Sequence, residues 1–277
     1  MKLGLIGNPI KHSLSPWIHS RLLELAGIEG QYQLYEMQPG SFQQQIELLR
    51  NEQLDGFNVT VPFKQKIMPE LDDIDGQAKK LGAVNTVKNH DGRWLGYNTD
   101  GKGFVNSLRA KYGTLLHPDT KVLLLGAGGA AKGIFFTLLN EGVRQIDVAN
   151  RTTERAEAIV NASEAAVSSH SLTLKEAEGR IAEYHLIIQT TTVGMNPRSD
   201  ESIISLKNMK EGAVVSDIVY QPLETAFLKD AISNGGRIHQ GHEMLLYQAV
   251  YAFKIWTGKS IDETKLLMEL EAQLKGE

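Results

Sequence analysis

The 277-residue chain contains no cysteine, which excludes disulfides, thiolate metal sites and a thiol nucleophile, and fits a reducing compartment. It contains no apolar run near the ~20 residues of a membrane-spanning helix, and residues 1–7 are too short an apolar start for a signal-peptide core. A cytoplasmic location is therefore expected. Basic excess is also missing: 29 Lys and Arg stand against 33 Asp and Glu, a formal charge of -4. With no dense basic run to neutralise phosphates, a nucleic-acid partner is excluded, and a small molecule is the expected ligand. His12, His19 and His242 form no recognised ligand motif, so no metal is expected. The oligomeric state is left open.

What the chain does have is alternation. Strand-like runs at residues 3–6, 32–36 and 56–61 are separated by helical patterns beginning at Ser15-Pro16, a cap followed by proline, and spanning 42–50. Residues 83–88 and 93–97 flank Asn89-His90-Asp91-Gly92, whose Asp-Gly marks a hairpin. A second unit starts at Val122-Leu123-Leu124-Leu125, a continuous apolar run of the kind buried on both faces of a parallel sheet. Further strands are expected at 145–149, 185–189 and 213–218, with helices at 103–112, 132–140, 153–165, 225–233, 244–256 and 261–274. The fold class is α/β with two domains: an N-terminal α/β domain with a mostly parallel sheet, and a Rossmann-type doubly wound domain.

Gly126-Ala127-Gly128-Gly129-Ala130 follows the apolar strand at once and opens a helix. Small residues there let backbone N–H groups approach a pyrophosphate, and the helix start adds oriented donors and a positive dipole end. Ala131 stands at the third glycine position, which the fingerprint allows. The following strand ends in Asn150-Arg151-Thr152, with Arg155 one turn on. An NAD site normally offers a carboxylate at this tip, whereas Arg151 makes charge-assisted bonds to a 2′-phosphate, so NADP is the expected cofactor. The competing reading pairs Arg151 and Arg155 with Glu154 and Glu157 on a solvated helix start.

Two charges stand out beyond this turn. Lys64 closes Asn58-Val59-Thr60-Val61-Pro62-Phe63-Lys64, and Asp100 lies in Asn98-Thr99-Asp100-Gly101; both follow strand-like runs, where turns favour function over packing. The alternative is a surface ion pair.

These segments, with Gly7-Asn8-Pro9-Ile10-Lys11-His12-Ser13-Leu14-Ser15-Pro16, Gly82-Ala83-Val84-Asn85-Thr86, 217–222 and 241–248, closely resemble the shikimate dehydrogenase family from the N-terminus to the last helices. The resemblance implies reversible NADPH-dependent reduction of 3-dehydroshikimate to shikimate, a step toward chorismate and the aromatic amino acids. It implies that residues 1–102 with 237–277 form the substrate domain and 103–236 the NADP domain. Ser13 and Ser15 would bind the substrate carboxylate, although Ser15 as a helix cap is the competing reading. Thr60, Asn85, Tyr220 and Gln248 would bond ring hydroxyls, being groups that both donate and accept. Lys64 and Asp100 would be the catalytic pair, with Asp100 also a substrate ligand; which one carries the proton stays open. Ile218 and Gly241 are read as contacts on the nicotinamide side, where small or apolar residues let a flat ring pack. Gln189, Thr190 and Thr192 depart from the Asn-Ala-Thr-Ser more common in the family. Two other functions stay open: a quinate/shikimate dehydrogenase with broader substrate or NAD use, discriminated by assaying quinate and both cofactors, and a noncatalytic NADP-sensing protein.

Overall fold

The computed structural model describes residues 1–163 and 167–276. The chain divides into two compact units, Met1–Gly103 with Leu246–Leu267, and Phe104–Leu245 with Met268–Glu277. Each is an α/β unit built on one six-stranded sheet.

The first unit contains β1 (Lys2–Gly7), α1 (Ser15–Leu25), β2 (Gln31–Glu36), α2 (Phe42–Asn51), β3 (Gly56–Val59), β4 (Asp73–Ile74), α3 (Gly76–Leu81), β5 (Thr86–His90) and β6 (Arg93–Tyr97). The strand order is β2-β1-β3-β5-β6-β4. β1 runs parallel to β2 and β3, while β5 is antiparallel to both β3 and β6. The hairpin between β5 and β6 turns at Asp91 and Gly92, both at positive φ (53° and 84°), as a tight Asp-Gly turn requires. All four residues of β3 are buried, because both sheet faces are covered. Phe57 packs with Trp94, Phe63 and the α2 residues Phe42 and Ile46. On β3's alternate positions the sheet receives α9 (Gly241–Thr257), whose Trp256 donates its indole N–H to the Val87 carbonyl at 2.9 Å. Gly56 makes room for it: a Cβ there would lie 2.3 Å from Trp256 Nε1.

The second unit contains β7 (Lys121–Leu125), α5 (Gly129–Asn140), β8 (Gln145–Ala149), α6 (Thr153–Asn161), β9 (Ser171–Leu172), α7 (Leu174–Gly179), β10 (Leu186–Gln189), β11 (Val214–Asp217), α8 (Ala226–Ser233) and β12 (Arg237–His239). Its sheet is wholly parallel in the order β12-β11-β10-β7-β8-β9. The apolar run in β7 divides by period two between two cores: Val122 and Leu124 pack with Ile134, Phe135 and Ile188, while Leu123 and Leu125 pack with Ile187, Val215 and Phe227. The chain winds outward from β7 through β8 to β9, returns to β10, and winds the other way to β12. The switch point lies between β7 and β10, where a doubly wound sheet opens a crevice at the carboxyl ends of its strands.

Two further helices, α4 (Asp100–Tyr112) and α10 (Thr264–Lys275), complete the chain. Some boundaries differ from those read in the sequence. β3 stops at Val59, because Pro62 lacks a donor and Phe63 turns its N–H back to the Thr60 carbonyl at 2.9 Å. α4 begins at Asp100, three residues early, where Asn98 Oδ1 accepts the Asp100 N–H at 3.1 Å. Ser15 is the first helical residue of α1 and not its cap: Leu14 holds the cap position without a side-chain bond, and Ser13 Oγ accepts the Ser15 N–H at 3.2 Å. The expected end of the 153–165 helix falls outside the described residues; within them α6 ends at Asn161.

Candidate active site

In the first unit, Lys64 and Asp100 meet. Lys64 Nζ donates to Asp100 Oδ2 at 2.7 Å, with the lysine side chain 27% and the carboxylate 13% exposed. Both ends are anchored. The Lys64 carbonyl accepts the Val84 N–H at 2.8 Å, and the neighbouring Phe63 is fully buried in a stack on Phe42. Asp100 lies in the first turn of α4, where the helix dipole favours a negative charge.

Asn85 holds the other carboxylate oxygen, its Nδ2 donating to Asp100 Oδ1 at 2.8 Å. The orientation of this amide is forced, since Asn85 Oδ1 accepts the Thr99 backbone N–H at 2.8 Å and only the oxygen end can accept. Behind it lies a second amide. Asn58 Nδ2 donates to the Asn85 carbonyl at 3.2 Å and to Thr86 Oγ1 at 3.1 Å, while Asn58 Oδ1 accepts the Tyr32 hydroxyl at 2.8 Å. The Tyr32 ring lies flat on His19 at 4.4 Å, with the Ser15 side chain near the Tyr32 phenol. Ser15 is buried beside this network, while Ser13 is half-buried at the turn.

Thr60 is half-buried at the end of β3, its N–H bonded to the Ile6 carbonyl at 2.9 Å. Gly7 permits this approach: a Cβ there would lie 2.3 Å from Thr60 Cγ2. Gln248, on α9, brings its Oε1 to 3.5 Å from Thr99 Oγ1. The structure therefore brings Ser13, Ser15, Thr60, Lys64, Asn85, Asp100 and Gln248 into one unit; Tyr220, half-buried after β11, belongs to the other. Sequence reasoning gave Tyr32 no role, because it looks like any strand aromatic. Asn58 carried a readable signal, being an amide inside a strand whose other residues are apolar or glycine.

In the second unit, Gly126 follows β7 at φ 110°, a conformation that L side chains rarely adopt. A Cβ on Gly128, Gly129 or Gly133 would meet nothing within 4 Å, so the turn is open above the start of α5. Gly128 caps α5 without a side-chain bond, and Ala127 and Ala130 complete the turn. These N-terminal donors, with no side chain spent on them, fit a pyrophosphate. After β8, Asn150 Nδ2 closes a turn on the Thr152 carbonyl at 2.8 Å, leaving Arg151, Thr152 and Arg155 exposed. Both arginines stand solvated at the start of α6, and among the described residues neither forms an ion pair. The arginines fit a 2′-phosphate. Ile218 and Gly241 meet: a Cβ on Gly241 would lie 2.5 Å from the Ile218 and Val219 carbonyl oxygens.

Family models match residues 5–87 as a shikimate dehydrogenase substrate binding domain, 110–220 as shikimate / quinate 5-dehydrogenase, and 241–271 as a shikimate 5'-dehydrogenase C-terminal domain. A shikimate dehydrogenase (NADP(+)) of Oceanobacillus iheyensis is 51% identical over 279 residues, covering 100% of this chain and 99% of the relative. The chain belongs to the shikimate dehydrogenase family. Among solved structures, shikimate 5-dehydrogenase from Thermus thermophilus in complex with NADP(H) and shikimate is similar at TM-score 0.87 and 32% identity, covering 97% of each chain. Quinate dehydrogenase from Corynebacterium glutamicum in complex with NAD reaches TM-score 0.87 at 28% identity, covering 98% of this chain and 99% of that one. Shikimate and quinate dehydrogenases, in complex with NADP(H) and with NAD, thus share this fold.

Proposed function

We infer that the protein is an NADP-dependent shikimate dehydrogenase, an oxidoreductase that reversibly reduces 3-dehydroshikimate to shikimate on the route to chorismate and aromatic amino acids. The observation that carries the chemistry is the Lys64–Asp100 pair at 2.7 Å, its carboxylate steadied by Asn85. Bound NADPH supplies the hydride. Negative charge then develops on the former carbonyl oxygen, and Lys64 stabilises and protonates it, as the one donor of the pair. Asp100, with Lys64 on Oδ2 and Asn85 on Oδ1, aims the ammonium and accepts from a substrate hydroxyl. In the reverse direction the same lysine, having lost its proton, accepts the hydroxyl proton.

Thr60, Asn85, Tyr220 and Gln248 recognise ring hydroxyls, and the Ser13 and Ser15 hydroxyls bind the carboxylate. Leu14 holds the cap position of α1, so the Ser15 hydroxyl is not committed to capping. Gly126, Ala127, Gly128, Gly129 and Ala130 cradle the pyrophosphate; Asn150, Arg151, Thr152 and Arg155 hold the 2′-phosphate; Ile218 and Gly241 contact the nicotinamide side. The first unit is the substrate domain and the second the NADP domain. The protein acts in the cytoplasm on a small-molecule substrate, without nucleic acid or membrane partners; no helix among the described residues is long and apolar enough to cross a membrane.

The test is spectrophotometric: purified protein with shikimate and NADP should generate NADPH, with quinate and NAD as parallel arms. Turnover of quinate with NAD at equal efficiency would replace this reading with the broader one. NADPH binding without any turnover would replace it with a noncatalytic role.

A further inference from the structure

Asp217 is a fully buried carboxylate at the last position of β11, and the chemistry proposed above makes no use of it. Its Oδ1 accepts Gln189 Nε2 at 3.1 Å and the Val219 N–H at 2.9 Å, and its Oδ2 accepts the Thr225 hydroxyl at 2.7 Å. Burial pushes its pKa up to about 6 against the pull of these bonds. A buried carboxylate is costly wherever an amide or an apolar side chain would do, so its arrangement calls for an account. Gln189, the last residue of β10, is equally committed: Nε2 also donates to the Val193 carbonyl at 3.0 Å, and Oε1 accepts the Thr191 N–H. One carboxylate and one amide therefore fix the first turns of the loops leaving two adjacent strands at their carboxyl ends.

Both loops lead to the crevice. Thr190 Oγ1 donates to the Leu125 carbonyl at 2.8 Å and lies 2.6 Å from where a Gly126 Cβ would sit, so loop 190–193 abuts the first glycine of the nucleotide turn. The loop after β11 abuts Gly241 through the Ile218 and Val219 carbonyls. A dinucleotide bound across a doubly wound sheet straddles the switch point. With the 2′-phosphate end at the β8 tip and the pyrophosphate at the β7 turn, its remaining half lies over β10 and β11.

We propose that Asp217 and Gln189 are positioning residues for the nicotinamide half of NADP: together they brace loops 190–193 and 218–220, whose placement orients the ring that carries the hydride. The inference rests on the reading that the second unit holds NADP. It gives a physical role to Gln189, a departure from the family pattern: the longer amide reaches the Asp217 carboxylate and the Val193 carbonyl together.

The experiment compares wild type with Asp217→Asn and Gln189→Leu in the full chain. The readouts are the NADPH Kd by fluorescence, kcat and both KM values, the primary isotope effect with shikimate deuterated at the reacting carbon, and the thermal midpoint. Loss of bonds to a charged group predicts an NADPH Kd raised ~10-fold or more, a lower kcat, an isotope effect nearer its intrinsic value, and a shikimate KM within about twofold of wild type. A lowered thermal midpoint with unchanged Kd and isotope effect in either variant makes the pair merely structural and overturns the proposal. If Asp217→Asn fails to fold, Gln189→Leu, which keeps the carboxylate and its other two bonds, decides alone. Wild-type turnover separates the two claims: absence of shikimate oxidation defeats the functional reading, while the NADPH Kd of the variants still judges the brace.

Discussion

Asn85 Nδ2 donates to Asp100 Oδ1 at 2.8 Å, so the carboxylate that meets Lys64 is held through both of its oxygens. A carboxylate gripped in this way cannot swing to follow the lysine; the lysine must come to it. Pre-set geometry of this kind raises kcat more than affinity, because its benefit is realised as charge develops.

Lys64→Ala should accordingly lower kcat by ~10²–10⁴-fold while changing the shikimate KM much less, as removal of an acid–base group acting mainly in the transition state predicts. Steady-state kinetics in both directions check it. An unchanged kcat would remove Lys64 from the chemistry.

Gly103 carries a second prediction, through packing. A Cβ at Gly103 would stand 2.5 Å from the backbone nitrogen of Gln248 and 2.6 Å from its Cα, and helix backbone cannot yield as a flexible side chain can. Gly103→Ala should therefore cost ~1–3 kcal/mol of stability and raise the shikimate KM by displacing Gln248, with the NADPH Kd unchanged. Urea unfolding and a substrate titration measure the two effects; an unaltered shikimate KM would show that the exact placement of Gln248 is immaterial to binding.

How far the sequence could be read depended on whether a residue's role was local. The apolar run of β7, the Asp91-Gly92 hairpin and the glycine turn before α5 are local signals, and the α/β class followed from them. β4, β9 and β12, at two or three residues each, carry no period to read and exist because a neighbouring strand pairs with them. α3 and α7 went unread for a similar reason, being single short turns of mixed polarity. In the site, Lys64 and Asp100 were visible as charges at strand ends, but the Tyr32–Asn58–Asn85 chain behind them joins three separate strands or turns, and only the folded backbone brings it together.

Arg151 sits exposed at the β8 tip, where no carboxylate among the described residues pairs with it. Arg151→Ala should raise the NADPH KM by ~10–100-fold, the loss expected for one charge-assisted bond, and leave the NADH KM nearly unchanged. Parallel assays with the two cofactors read this directly. An equal loss with both would mean that Arg151 supports the fold and not the 2′-phosphate.

His19 links the buried network to acid stability. Burial against Tyr32 and Trp256 pushes its pKa down to about 3, and burial also lowers that of His239, to about 4. In each case the unfolded chain takes up a proton below about pH 6.5 that the folded chain refuses, so stability present above that pH is lost as pH falls toward the folded value, by ~1.4 kcal/mol per pH unit per histidine. Asp217 acts in the opposite sense, because its raised pKa of about 6 lets the folded state bind a proton that the unfolded chain releases. Burial also lowers the pKa of His185 and His242, which act in the same sense as His19 and His239, so the net is a decline. Replacing His19 with phenylalanine keeps a flat ring against Tyr32 and removes one titrating group, so the dependence of unfolding free energy on pH between about 6 and 4 should become shallower by ~1.4 kcal/mol per unit. Urea unfolding of His19→Phe and wild type across that range checks it; parallel curves would mean that His19 takes up its proton in the folded state.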